Sequence, residues 1–268
     1  MSRSRRLIVS WFWLACGGCR LAAVNGVSLD GGAATNGPAW TDAFPALDGT
    51  PAGFALSFDG VMDYATAGNG GFPAASASQT AELWVDYPAT SAIADFLVMR
   101  TYLMEGVQIG VRGGTVAVWR TSGGEILVKA ATPPSADSWH HVAYTYNQTT
   151  HTLYLDGAVA DAETSASDSR TPNTVWLGTL DGTSELYQGQ MDEVRVWNVA
   201  RSASEVQADM HHSPPGPVPG LVAYWTFDDV DSGGRAVDAS GSGNDVTLGD
   251  GIAARMPSRV PSGAPVGP

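Results

Sequence analysis

Lysine is almost missing from this chain: Lys129 is the only one in 268 residues. Basic residues number 14 against 27 acidic ones, a formal charge of −13. Four arginines, Arg3, Arg5, Arg6 and Arg20, fall in the first 20 residues, which hold no acid. Beyond them the acids outnumber the bases 27 to 10. Such a surface repels phosphate backbones and anionic headgroups, so nucleic acid is not expected as a partner. A divalent cation is chemically admissible, because hard cations take carboxylate and carbonyl oxygens. Cysteine is equally scarce. Cys16 and Cys19 are the only two. The rest of the chain therefore has no disulfide, no thiolate zinc site and no cysteine nucleophile. Long apolar runs are missing too, and nothing reaches the roughly 18 residues that a membrane span requires.

The longest apolar run, Leu7 to Ala15, follows the basic cluster Arg3, Arg5 and Arg6. A positive region before a short apolar one is the pattern of an export signal, here residues 1–20. Leu14-Ala15-Cys16-Gly17-Gly18 resembles a bacterial lipoprotein cleavage box, which implies lipidation of Cys16. Trp13 and Leu14 depart from that box, and ordinary cleavage after Gly17 is the alternative. Residues 21–52 are rich in Gly, Ala, Asn and Pro without a sustained period, and read as a flexible tether. The expected location is the outer surface or the medium.

The 32 glycines and 16 prolines punctuate the remainder into short strands. Ala81 to Tyr87 alternates strictly, with Leu83, Val85 and Tyr87 on one face and Glu82, Trp84 and Asp86 on the other. Ala55–Phe58, Phe96–Met99, Val107–Val111, Thr115–Trp119, Glu125–Ala130, Trp139–Tyr146, Thr152–Leu155, Thr174–Leu177 and Met191–Trp197 read as further strands. Asp59-Gly60 and Asp156-Gly157 are turn pairs. Ser202-Ala203-Ser204-Glu205 is a capping box, the one clear helix start. The pattern predicts an all-β, antiparallel two-sheet sandwich with one short helix.

Five stretches, in order, resemble the laminin G-like jelly-roll family of concanavalin A-like, pentraxin-related domains. They are Ala55–Tyr64, Thr80–Val85, Trp139–Gly157 (WHHVAYTYNQTTHTLYLDG), Val175–Gly178 and Gly189–Asn198 (GQMDEVRVWN), followed by the short helix. The expected domain is 53–255, with Leu221–Phe227 as a returning strand of the same sandwich and 256–268 as a Pro/Gly-rich tail. Trp139 and Tyr154 are expected between the sheets. The resemblance implies a calcium ion at strand ends, with Asp59, Asp63 and Asp192 as its carboxylates. The other reading of Asp59 is a cap of its own turn.

Catalysis is not expected. Related glucanases carry a Glu-x-Asp-x-Glu strand, and this chain has none. Adjacent Asp192 and Glu193 should point to opposite faces of a strand. Adjacent His140-His141 and His211-His212 should diverge likewise. One sheet face, with Glu82, Trp84, Glu193, Arg195 and Trp197, and with Arg100 and Arg120 beside it, suits a sugar through stacking and hydrogen bonds. The same residues also suit a structural Glu–Arg network. The expected function is a binding module for a glycan or a surface protein. The alternatives are an adhesive protein without a small ligand and, last, a glycoside hydrolase. Mass spectrometry of the native N-terminus tests the export reading: a diacyl or triacyl mass on Cys16 supports lipidation, and a free N-terminus after Gly17 rejects it.

Overall fold

The computed structural model describes residues 53–68, 70–88, 92–166, 171–214 and 217–267. The expected signal and tether, with Cys16, lie outside them. Sixteen strands, one α-helix and two single-turn 3-10 helices are found among these residues. The strands are β1 (Phe54–Asp59), β2 (Ala65–Gly68), β3 (Gln79–Asp86), β4 (Ile93–Arg100), β5 (Gly106–Arg112), β6 (Thr115–Arg120), β7 (Ile126–Lys129) and β8 (Trp139–Tyr146). Then come β9 (Thr150–Leu155), β10 (Ala158–Thr164), β11 (Thr174–Leu177), β12 (Gln188–Trp197) and helix α1 (Ala203–Asp209). β13 (Leu221–Trp225), β14 (Arg235–Ala236), β15 (Val246–Leu248) and β16 (Ser258–Pro261) complete the set.

All strand pairs within the two sheets are antiparallel. The first sheet runs β10-β9-β8-β3-β12-β1-β16, and the second β14-β15-β2-β11-β4-β5-β6-β7. β12 is long enough to serve two partners along one edge. Its first half pairs with β1, Met191 opposite Leu56, and its second half pairs with β13, Val194 opposite Trp225. Leu221–Trp225 thus lies inside the first sheet. Residues 256–268, expected as a tail, include β16, which pairs with β1 along Phe54–Ser57. Proline is tolerated there because β16 is an edge strand.

The core lies between the sheets, and period-2 alternation explains its membership. Leu83 and Val85 of β3, Val142 and Tyr144 of β8 and Met191 of β12 point inward from the first sheet. Leu97 and Met99 of β4, Ile109 of β5 and Val118 of β6 meet them from the second. Trp225 is fully buried, and its Nε1 donates to the Asn244 carbonyl at 2.8 Å. Asp156 and Gly157 both have positive φ, 49° and 76°, which makes the tight β9–β10 turn.

Helix α1 keeps its predicted start. Glu205 N–H donates to Ser202 Oγ at 3.3 Å, and Ser202 N–H donates to Glu205 Oε2 at 2.7 Å. Val206 is fully buried and packs on Ala143 and Tyr154. Those two residues are cross-strand partners on the outer side of the first sheet. Tyr154 therefore seats the helix and does not fill the space between the sheets, as expected above. Trp139 pairs with Asp86, also on the outer side, and lies against Gly263.

Truncating Trp225 to alanine should cost about 3–5 kcal/mol, as for a large buried aromatic. Val159→Ala, at a largely exposed site, should stay within about 0.5 kcal/mol. Urea unfolding of the two variants checks this; equal losses would show that β13 is not part of the cooperative core.

Candidate functional site

The face singled out for a ligand exists as a row of neighbours, but it is closed. Glu82 pairs with Arg195, and Trp84 with Asp192, across β3 and β12. Trp197 Nε1 donates to Glu82 Oε1 at 2.9 Å, and Arg201 Nη1 donates to the same oxygen at 3.2 Å. Arg195 Nη2 donates to Glu193 Oε2 at 2.5 Å, and Tyr224 OH donates to that oxygen at 2.5 Å. Arg201 also bonds the Asp209 carboxylate. Residues 209–212 lie on top: Arg195 donates to the Asp209 and His212 carbonyls, and Trp84 Nε1 to the Met210 carbonyl. Glu82, Trp84, Glu193, Arg195 and Trp197 are all buried. Burial pushes the Glu82 carboxyl up, while Arg195, Arg201 and the Trp197 N–H pull it down. These five residues seat the helix and form a structural Glu–Arg network rather than an open binding face.

Arg100 and Arg120 belong to the other sheet. Arg100 lies 5.1 Å over the Trp176 ring and donates through Nε to the Leu180 carbonyl at 3.0 Å. Arg120 pairs with Glu125 at 2.7 Å. His141 is buried beside Trp84, and burial lowers its pKa to about 3. His140 meets the Asp156 carboxylate at 2.9 Å. The two histidines thus diverge.

Asp192 and Glu193 do not point to opposite faces. Glu193 has φ 53°, and the register shifts between Asp192 and Arg195. This bulge brings both carboxyls to the outer side, because two residues of one strand oppose one of its neighbour. Ser262 Oγ donates to Asp192 Oδ2 at 2.5 Å, which ties the C-terminal segment to β12.

The three calcium candidates are not brought together. Asp59 pairs with Gln188, four residues before Asp192 on β12. At a rise of about 3.3 Å per residue, that places Asp192 about 13 Å further along the strand, too far to share an ion with Asp59. Asp59 Oδ1 accepts the N–H groups of Val61 and Met62 at 2.8 and 3.1 Å. Burial works against its ionisation, but these bonds hold its pKa below the ordinary value. Asp59 N–H in turn donates to Asp63 Oδ2 at 3.0 Å. Among the described residues, no three Asp, Glu, His or Cys side chains gather closely enough for one metal ion. The donor set does not fit a calcium shared by Asp59, Asp63 and Asp192.

One groove on the outer side of the first sheet lies beyond this cover. Ser57, Gln190 and Asp86 form one cross-strand row over β1, β12 and β3. With Asp137, Gln188 and Pro88 they line a cavity of about 300 Å³. Burial raises the Asp86 pKa, Asp137 adds to this, and His140 opposes it. The groove thus offers carboxylates, amides and a hydroxyl. Its signal in the sequence is faint, since Gln and Ser on strands carry no motif. A second cleft, about 360 Å³, runs between edge strands β7 and β10, lined by Glu125, Lys129, Asp161 and Glu163 among others.

Two packed antiparallel sheets joined in this order define a jelly-roll β-sandwich. A family model described as the concanavalin A-like lectin/glucanases superfamily, of laminin G type, matches residues 59–207, and the chain belongs to that family. A Bacteroides ovatus protein proposed to bind carbohydrate superposes with a TM-score of 0.65 at 21% identity, over 81% of this chain. The chain spans 62% of that protein's length. A heptameric SAP-like pentraxin from Limulus polyphemus superposes with a TM-score of 0.52 at 16% identity, over 73% of this chain and 94% of the pentraxin. Among curated proteins, none matches the chain.

Asp192 gives a pH prediction. Burial drives its pKa up to about 8, against the Ser262 hydrogen bond and with the help of the Glu193 and Asp228 charges. A carboxyl raised on folding contributes stability at acid pH, and that contribution is lost as pH rises through about 8. The melting temperature should fall from about pH 5 to about pH 9, and Asp192→Asn should flatten part of that fall. Identical pH profiles for the two proteins would refute the assignment.

Proposed function

We propose that the chain is an extracellular, non-catalytic binding module that takes carbohydrate in the groove of Ser57, Asp86, Asp137, Gln188 and Gln190. The observation that carries this is the row Ser57–Gln190–Asp86, which presents hydroxyl, amide and carboxyl groups to a cavity of about 300 Å³. Planar polar side chains fixed on adjacent strands match the vicinal hydroxyls of a sugar, because each group's direction is set by the sheet. Family membership and the proposed carbohydrate binding of the Bacteroides ovatus protein support the same ligand class.

A non-catalytic role accords with the state of the acidic pair on β12, since Asp192 and Glu193 are buried and engaged. The N-terminal pattern supports export, with residues 1–20 as the signal and 21–52 as a tether that holds the sandwich away from a surface. The competing reading is an adhesive protein whose only partners are other proteins.

A glycan array with the exported protein, run with calcium and with chelator, tests the proposal. Saccharide binding is expected in both conditions. Asp86→Ala and Gln190→Ala should each weaken it by about tenfold, or ~1.4 kcal/mol. Binding untouched by both substitutions would place the ligand elsewhere, and an array without hits would favour the adhesive reading.

A further inference from the structure

The loop between β11 and β12, residues 178–187, folds back over the outer side of the second sheet. Its two ends meet, with Tyr187 N–H donating to the Gly178 carbonyl at 2.8 Å. Inside, it holds its own shape. Asp181 Oδ1 accepts the N–H groups of Thr183 and Ser184 at 3.0 and 2.9 Å, and Leu180 N–H donates to the Ser184 carbonyl. Gly182 sits over the rings of Trp176 and Tyr64, so closely that a Cβ there would lie 3.4 Å from each. Compact loops of this kind move as units, because their internal bonds survive when their outer contacts break.

The loop's ends are fixed, by the Gly178 N–H on the Phe96 carbonyl and by the Tyr187 ring in the core. Between them the loop bonds the sheet at Leu180, whose carbonyl accepts from Arg100 Nε, and at Glu185. Asp95 N–H donates to the Glu185 carbonyl at 2.9 Å. The Gln108 amide nitrogen donates to Glu185 Oε2 at 2.7 Å and to both Asp95 oxygens, at 3.1 and 3.0 Å. Two carboxyls from different elements thus crowd one amide. Asp95 has no exposed surface, and Gln108 is 2% exposed. Glu185 itself is held in left-handed backbone, φ 53°, which a non-glycine residue adopts at a cost. The groups that face the pair are few. Gln108 and Arg112 come from β5, and Asp95 and Glu185 are the acids. Arg112 is the cation nearest in effect, and its guanidinium lies over the Trp119 ring at 5.2 Å.

We propose that Asp95 and Glu185 share one proton, and that this proton latches segment 180–186 of the loop onto the second sheet, over Arg100 and Trp176. With both groups ionised, two like charges would face one neutral amide, Asp95 fully buried and Glu185 half-buried, and the middle of the loop is the element free to leave. Asp95 is the seat of the proton. Burial raises its pKa well above the ordinary carboxylate range, the Glu185 charge adds to this, and Arg112 is the weakest opposing influence. A carboxyl raised on closure favours the closed state at low pH, and that preference is lost as pH climbs through the raised value. The open population should then grow about tenfold for each further pH unit. The loop is closed below that raised value and released above it. Release uncovers the Arg100 guanidinium and the Trp176 ring beneath it.

The test uses the full protein labelled with 5-fluorotryptophan. Trp176→Phe assigns the Trp176 fluorine resonance, which is then followed by NMR from about pH 6 to about pH 10, a range above ordinary carboxylate values. In the wild type, the resonance should shift in one titration step as the loop leaves the ring. Asp95→Asn replaces the protonated carboxyl with an amide that donates to Glu185 at every pH, and Glu185→Gln removes the second charge. The step should vanish in both. Asp192→Asn should keep it, which separates the latch from the other raised carboxyl. A wild-type resonance that does not titrate, or a step that persists in Asp95→Asn, overturns the proposal. If Asp95→Asn does not fold, Glu185→Gln decides it by the same criterion.

Discussion

The buried carboxylate of Glu82 is the constraint on which the outer half of the molecule depends. It has no exposed surface, and it is held by the Trp197 N–H and the Arg201 guanidinium. Stripping water from an acid is expensive, and only well-placed donors offset that cost. Here the donors to Oε1 come from β12 and from Arg201, just before α1, so this oxygen is fully partnered only when the helix is seated. Once seated, the helix carries residues 209–212 onto Arg195 and Trp84. The cover extends to the chain end, where Gly267 N–H donates to the His211 carbonyl. The end of that sheet with Ser57, Gln190 and Asp86 lies beyond this cover.

Much of the sandwich was legible in the sequence because burial on one face leaves a period of two. β3 and β8 alternate cleanly, and the capping box marked α1. The strands that escaped notice have a physical reason to be quiet. β10 is an edge strand with no buried residue, so its alternation has nothing to report. β2 reads Ala-Thr-Ala-Gly, too small for a pattern. β14, β15 and β16 are two to four residues long.

The site was less legible than the fold. Periodicity placed Glu82, Trp84, Arg195 and Trp197 on one face, and they do share it. It could not tell that the face is roofed, because the roof comes from residues 201–213 through carbonyl and carboxylate contacts without a repeat. The bulge at Asp192 and Glu193 was equally hidden, since a left-handed glutamate looks like any other strand residue in sequence. The calcium assignment failed on distance along a strand, where resemblance gives residue types but not register. Asp95, Gln108 and Glu185 lie on three separate elements, and nothing in their spacing announces a meeting.

The placement of β1 has a further consequence, for the order in which the chain can fold. Leu56 lies between Met191 on one side and Arg259 on the other, so the first strand made is flanked by two of the last. It has no neighbour to pair with until most of the polypeptide exists. Local hairpins such as β8–β9 can form early, but closure of the first sheet waits for the C-terminal residues. Such long-range pairing makes folding slow and all-or-none. A chain released short of β16 leaves β1 with a bare edge, open to pairing with another chain.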